Sequence, residues 1–142
     1  MGMDVHGINP TTDNGKYFRA NIWSWSPIHA VICSVSALKG NLLTDEQLNA
    51  MCFNDGFPGR LPRPTIDALA DGIQEVVDNL KEKGSPAIYG GSEGLPFHVD
   101  EHGHLIQGPP GRSEENPYRS SVSHLQEFVD FLRGCGDGFE VR

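Results

Sequence analysis

Apolar residues recur at helical spacing in four segments of the chain, and residues that start or stop helices flank each segment. In the first segment Ser26 is a capping residue, Pro27 suits the first helical position, and Gly40 follows as a stop. The apolar positions between them are Ile28, Val31, Ile32, Val35 and Leu38. Because this spacing places them on one face, the pattern predicts a helix that begins at Ser26 and Pro27.

The second predicted helix is short and carries a capping box. Thr44 and Gln47 stand three residues apart, which is the spacing that a reciprocal side-chain cap requires. The apolar residues that this helix would bury are Leu48, Met51 and Cys52.

Two longer helices complete the set. One begins at Thr65 and ends at Gly84, and the other begins at Ser121 and ends before Gly134. The apolar face of the first contains Ile66, Leu69, Ile73, Val76, Val77 and Leu80. The apolar face of the second contains Val122, Leu125, Phe128, Val129 and Leu132. Such stripes are typical of helices that cover a core.

Residues 17–25 fit two structures. As a helix they would place Phe18 and Trp25 on one side, and as a strand they would alternate between two faces. We favour a short helix, because Thr11 or Thr12 can cap it before the corner marked by the following proline.

Strand signals are few. Residues 96–106, "PFHVDEHGHLI", predict a hairpin that turns near His102 and Gly103, and residues 139–142, "FEVR", predict a short strand. The hairpin lies within residues 85–120, a long irregular stretch for a small domain. We therefore predict a helix-dominated α+β fold: a single domain over residues 1–142, with four to five helices, a minor β-hairpin and short strands.

Composition and charge exclude several classes of protein. The net charge is −8, and the 11 Lys and Arg residues form no evident basic face, so direct nucleic-acid binding is not expected. The sequence has neither an apolar run long enough for a membrane span nor the layout of a signal peptide at its start. We expect a cytoplasmic protein.

The three cysteines are far apart and form no CxxC pair. This spacing fits neither a disulfide framework nor a cysteine-based zinc motif. Because Cys33 and Cys52 fall on apolar helix faces, we expect buried thiols in a reducing cytoplasm.

No catalytic or nucleotide-binding signature is present: the chain has no GxSxG elbow, no P-loop and no Cys-His motif. On a strand, His98, Asp100, His102 and His104 could converge on a metal, but the glycine between the last two implies a turn, and the spacing matches no familiar zinc motif. We expect a solvated hairpin tip, no metal, no cofactor and no enzyme activity.

The stretch "NPTTDNGKYFRANIWSWSP", residues 9–27, holds both tryptophans of the chain. Aromatic planes that stack on a base, beside an arginine that pairs with phosphate, would suit a nucleotide-like ligand. The alternative is a structural wedge between helices, with Arg19 reaching solvent. The ligand-binding candidates in this stretch are Asn9, Thr11, Thr12, Tyr17, Arg19, Asn21, Trp23 and Trp25.

The same stretch resembles the N-terminal signature of a family of small uncharacterised proteins frequent in bacteriophage and prophage genomes. In that family an Asn-Pro-Thr stretch leads to Gly, to Tyr-Phe-Arg and to a Trp-rich corner before Pro. "FNDGFPG" is similar to its central segment, and "SVSHLQEFVDFLRGCGDGFEVR" to its Phe-rich C-terminal helix, Cys-Gly and Phe-Glu strand. The likeness covers the first third and the last sixth of the chain. It departs at Ser26, where many members are basic, and in the middle, where many carry paired cysteines.

The resemblance implies a phage context and no particular activity. By analogy with that context, the first hypothesis is a non-catalytic protein that sequesters a nucleotide-derived host immune signal, with Arg19 on phosphate, Trp23 or Trp25 stacked, and Asn54 and Asp55 approaching from the central loop. The alternatives are an acidic inhibitor that binds a host defence protein, and a small metal-dependent hydrolase using residues 98–104. A homo-oligomer is compatible with each of them.

Overall fold

Four helices and seven short strands make up the described part of the protein. The computed structural model describes residues 2–51, 59–82, 84, 87–89, 97–99, 105–107 and 119–141, with the backbone alone for the three short internal segments. The helices are α1 (Ile22–Leu38), α2 (Asp45–Ala50), α3 (Arg63–Glu82) and α4 (Val122–Gly134). The strands are β1 (Gly2–Gly7), β2 (Tyr17–Asn21), β3 (Ala87–Tyr89), β4 (Phe97–Val99), β5 (Leu105–Gln107), β6 (Arg119–Ser121) and β7 (Phe139–Val141).

A three-stranded antiparallel sheet joins the two ends of the chain, with the strands in the order β2-β1-β7. Successive side chains in a strand point to opposite faces, and the burial pattern follows that rule. Met3 and Val5 of β1 are buried, whereas Asp4 and His6 face outward. The paired residues set the register, so Asp4 lies opposite Arg19 on the outer face.

An aromatic core lies under the inner face of the sheet. Phe18 from β2 packs against Phe128 of α4 with a ring separation of 5.1 Å, and Phe131 packs against Phe139 of β7 at 6.0 Å. Trp25 of α1 meets Phe128 edge-on at 6.0 Å. Because aromatic side chains bury large areas and favour edge-to-face contacts, this cluster fixes α1 and α4 beneath the sheet.

The expected fold class is confirmed: four helices with a small antiparallel sheet form a helix-dominated α+β domain. The capping box is present, since Gln47 N donates to Thr44 Oγ1 at 3.1 Å and Thr44 N donates to Gln47 Oε1 at 2.9 Å. Ser121 caps α4 as predicted, its hydroxyl accepting from His124 N at 3.0 Å.

Three smaller expectations have mixed outcomes. The longest helix begins at Arg63, two residues before the predicted Thr65. β4 and β5 form the expected antiparallel pair, and their predicted turn lies outside the described residues. Residues 139–141 form the expected strand β7.

The preference for a helix over residues 17–25 was wrong. Residues 17–21 form β2, and α1 begins at Ile22 with Asn21 as its cap. The Asn21 side chain accepts from Ser24 N at 2.8 Å, so Pro27 lies inside the helix instead of at its start. The reason is pairing: β2 is held along its whole length by β1, a partner distant in sequence that outweighs the local signal of Ser26 and Pro27.

Two of the three thiols fall within the described residues. Cys135 is buried, as expected of an apolar thiol, whereas Cys33 is only half-buried. Neither of these two forms a disulfide among the described residues, and Cys52 lies outside them.

In the described part of the chain, no helix combines the length and the apolar character that crossing a membrane would require.

Candidate functional site

Of the first three candidate residues, Asn9 and Thr11 bond the C-terminal turn and Thr12 bonds within its own loop. Thr11 N donates to Gly134 O at 2.8 Å, and the Asn9 side chain donates to Asp137 Oδ2 at 2.9 Å. Thr12 closes the loop itself, because its hydroxyl accepts from Gly15 N at 3.1 Å. These hydrogen bonds give Asn9, Thr11 and Thr12 a part in holding the fold, and all three residues remain exposed.

The loop and the turn interlock through their backbones. Ile8 N donates to Gly138 O at 2.9 Å, and Asp137 N donates back to Ile8 O at 2.8 Å. Gly136, at a φ of 83°, lies directly against the carbonyls of Ile8 and Asn9. The N-terminal and C-terminal segments therefore pack against each other and form one structural unit.

Arg63, the first residue of α3, forms hydrogen bonds with the same C-terminal turn. Its guanidinium donates to Leu132 O at 2.9 Å and to Gly136 O at 3.0 Å, and it pairs with Asp67 at 2.8 Å. The carbonyls at the end of α4 have no helical partner of their own, so Arg63 satisfies groups that would otherwise need another donor.

Tyr17 and Arg19 lie together on the outer face of the sheet. The Tyr17 hydroxyl donates to Asp4 Oδ1, and the tyrosine ring lies 5.1 Å from that of His6. The hydrogen bond to Asp4 raises the pKa of Tyr17 above its ordinary value, because losing the proton would set two negative oxygens side by side. The Arg19 guanidinium lies over Gly2, where a side chain would collide with it. Among the described residues it forms no ion pair.

The two tryptophans have opposite roles. Trp25 is 3% exposed, and its Nε1 donates to Met51 O at 2.9 Å, so it belongs to the core and presents no face to a ligand. Trp23, in the first turn of α1, is 45% exposed beside Ile22, which is 48% exposed. Of the two stacking candidates, Trp23 is the accessible one.

A cavity of about 310 Å³ lies where the edge of β2 meets α4. Its charged walls are Asp13, Arg19, Glu127 and Asp130, and Asn14, Tyr17 and Phe18 complete the lining. Three carboxylates line this cavity, one of them, Asp13, paired with Lys16 at 3.1 Å, and Glu127 and Asp130 are both exposed. The site therefore favours a cationic group over an anionic one.

A larger cavity, of about 720 Å³, contains none of the candidates from the sequence. It is lined by Ile8, Thr44, Glu46, Gln47, Ala50, Gly59, Arg60 and Glu140. Asn54 and Asp55, the candidates from the central loop, lie outside the described residues, as does most of the histidine group at residues 98–104. Of that group only the backbone of residues 98 and 99 is described.

The acidic residues around Tyr17 and Arg19 are not among the candidates that the sequence offers. Asp4 belongs to β1, and the alternation of Met3 and Val5 with Asp4 and His6 is a strand signal that could have located it. In the sequence, Glu127 and Asp130 fall on the polar face of the predicted helix. They reach the cavity only because α4 packs against β2.

His29 is a half-buried histidine on α1 with a defined partner. Its Nε2 bonds Leu48 O at 2.7 Å, and the Cys33 thiol lies 3.8 Å from the ring. Burial lowers the pKa of His29, and the hydrogen bond to the Leu48 carbonyl opposes that shift. The ring is thus held neutral at neutral pH, with Nε2 as its donor.

We expect acidification to destabilise the fold through His29. The unfolded state takes up this proton near pH 6.5, the usual histidine pKa, whereas the folded state takes it up only at lower pH. The contribution of the neutral His29 ring to the free energy of unfolding is therefore complete above about pH 6.5 and is lost as the pH falls toward the lowered pKa. The melting temperature of His29→Gln, which keeps a donor for Leu48 O, should fall less between pH 7.5 and 5 than that of the parent. Equal slopes for both proteins would contradict this.

Within the described residues, no group of three or more His, Cys, Asp or Glu side chains is arranged to hold a metal ion. Comparison with protein-family models, with curated proteins and with solved structures gives no match to this chain.

Proposed function

We propose that this protein is a non-catalytic binding protein that recognises a basic protein partner through Tyr17, Ile22 and Trp23, which we call the aromatic surface. The observation that carries the proposal is exposure. These three large side chains are 46%, 48% and 45% exposed, with Tyr17 at the start of β2 and Ile22 and Trp23 in the first turn of α1. Trp and Tyr are the side chains that most often dominate the binding energy of protein interfaces.

The dimensions of the aromatic surface favour a macromolecule over a small ligand. From Tyr17 to Asn21 the strand extends roughly 14 Å at the usual rise per residue. Trp23 lines neither of the two cavities described above. A small ligand binds in a concave site that encloses most of its surface, whereas a partner protein can span the full length of the strand.

Charge supports a basic partner. Three carboxylates line the cavity beside the aromatic surface, and the chain as a whole carries a net charge of −8. Complementary potentials steer association and disfavour partners of the same sign. Together with the phage-type resemblance, this supports an inhibitor that binds a host defence protein in the cytoplasm.

A comparison of two exposed apolar residues on α1 tests the proposal. Trp23→Ala should abolish the capture of a partner from a bacterial host lysate. Leu38→Ala should leave it intact, because Leu38 is similarly exposed, at 42%, but lies at the other end of the helix. Both variants should melt like the parent, since exposed substitutions usually change stability by less than about 0.5 kcal/mol. Equal capture by both variants would show that the aromatic surface does not bind the partner.

Sequestration of a small anionic ligand is the second candidate, favoured by one observation. The Arg19 guanidinium has no ion-pair partner among the described residues and lies near the Tyr17 hydroxyl, an arrangement that can receive a phosphate. Mass spectrometry of the small molecules released on unfolding would identify such a ligand.

Arg19→Ala separates the two candidates. We expect little change in melting temperature, because Arg19 is exposed. An anionic ligand would lose a charge-assisted contact of about 1.5–3 kcal/mol, which corresponds to roughly a tenfold to hundredfold loss of affinity. A basic partner would bind at least as tightly, because the variant site has one positive charge fewer. Weakened binding of a protein partner would argue against the charge assignment.

A further inference from the structure

The open side of β2 carries backbone groups that point away from the sheet. Gly7 N donates to Lys16 O at 3.2 Å, and the register continues from this pair to Val5 opposite Phe18. In an antiparallel ladder, hydrogen-bonded and non-bonded pairs alternate. The backbone N–H and C=O of Tyr17 and Arg19 must therefore point outward from β1.

One of these outward groups is seen directly. Arg19 O accepts a hydrogen bond from His124 Nε2 of α4 at 3.0 Å, on the side of β2 away from β1. His124 also stacks on Phe18 with a ring separation of 5.0 Å, so it is fixed at this point of the edge. Among the described residues, no other strand pairs with this side of β2.

Negatively charged side chains line the cavity at this edge of β2. Glu127 and Asp130 of α4, with Asp13 of the loop before β2, line the same cavity as Tyr17 and Arg19. The Asp13 carboxylate forms an exposed ion pair with Lys16 Nζ at 3.1 Å. Asp130 accepts a hydrogen bond from Gln126 Nε2 at 3.3 Å. A strand added at this edge would direct every second side chain toward these carboxylates.

We propose that the edge of β2 receives an extended segment of the partner as an additional strand, with Lys or Arg at alternate positions. The backbone groups of Tyr17 and the N–H of Arg19 supply the pairing, and the carboxylates select the basic side chains. Exposed edges are used in this way for peptide recognition. His124 limits the paired length to the Tyr17 end of the strand. This inference rests on the proposed function and names the form of its partner.

The test uses a defined peptide, Lys-Val-Lys-Val-Lys, with acetylated and amidated ends. Titrated into the labelled protein, it should shift the backbone amide resonances of Tyr17 and Arg19 and slow their hydrogen exchange. The same peptide N-methylated at alternate residues keeps its charge but loses donors for β2, and it should bind about tenfold or more weakly. Glu-Val-Glu-Val-Glu should not bind.

Protein variants test the contribution of charge. Glu127→Gln combined with Asp130→Asn should weaken binding of the lysine peptide by about tenfold, whereas Glu75→Gln, at an exposed position of α3, should not. If the N-methylated and parent peptides bind equally, the contact is charge alone and the strand inference is overturned. It is also overturned if the Tyr17 and Arg19 amides do not shift at peptide concentrations up to the millimolar range.

Two other outcomes are distinguishable. Protection of the Tyr17 and Arg19 amides that rises with protein concentration in the absence of peptide would assign the edge to a second copy of this chain and overturn the inference. Failure of the peptide experiment alongside loss of partner capture by Trp23→Ala would overturn the added strand while leaving the proposed function in place.

Discussion

Gly136→Ala should be among the most destabilising single substitutions in this protein, with an expected loss of about 3–5 kcal/mol in the free energy of unfolding. Gly136 has a φ of 83°, and a Cβ there would overlap the carbonyl oxygens of Ile8 and Asn9. These are backbone atoms held by hydrogen bonds between the N-terminal loop and the C-terminal turn, so they cannot move aside cheaply. Denaturation by urea, monitored by circular dichroism, measures the loss.

Gly40→Ala is the matched control. Gly40 has nearly the same backbone angle, a φ of 82°, but a Cβ there would meet nothing within 4 Å. It should therefore carry only the cost of the left-handed conformation, about 1–2 kcal/mol. Equal losses for the two variants would show that the contact of a Cβ at Gly136 with the carbonyls of Ile8 and Asn9 adds nothing to the cost of the left-handed backbone.

Trp25→Ala should cost about 3–5 kcal/mol, the usual range for removing a packed tryptophan from a core. The indole is buried against Phe128, and its Nε1–H bonds Met51 O, so the substitution leaves both a cavity and an unsatisfied carbonyl. Trp25→Phe should recover part of the packing but not the hydrogen bond. Thermal and urea denaturation of both variants measure these losses.

Trp23→Ala provides the contrast within the same helix. Its side chain is 45% exposed, so the expected change in stability is small. If Trp23→Ala destabilised the protein as much as Trp25→Ala, Trp23 would be a core residue and the aromatic surface would lose its principal member.

Signals contained within a few residues of sequence predicted the fold well. The Thr44 and Gln47 capping box and the Ser121 cap depend only on neighbours three residues away, so the sequence alone could locate them. The start of α1 could not be located in this way. Its true cap, Asn21, competes with the local signal of Ser26 and Pro27, and the pairing of β2 with β1 decides between them.

The candidate site was predictable in part, for a related reason. A cluster of aromatic and polar residues in sequence does not reveal which members face inward, because that depends on the distant elements that cover them. Trp25 is covered by Phe128 from α4, whereas Trp23, two residues earlier, is not buried. The sequence offers Asn9 and Thr11 as ligand contacts. In the structure they form hydrogen bonds with the turn at Gly134 to Gly138, which is more than a hundred residues away.

The most direct test of the proposed function is the dissociation constant of the captured partner for the parent protein and for Trp23→Ala, measured by titration calorimetry. An interface residue of this type should cost at least about 2 kcal/mol when truncated, which corresponds to roughly thirtyfold weaker binding, with an unchanged melting temperature. Leu38→Ala should match the parent in the same titration. Parent-like affinity in Trp23→Ala would contradict recognition through the aromatic surface.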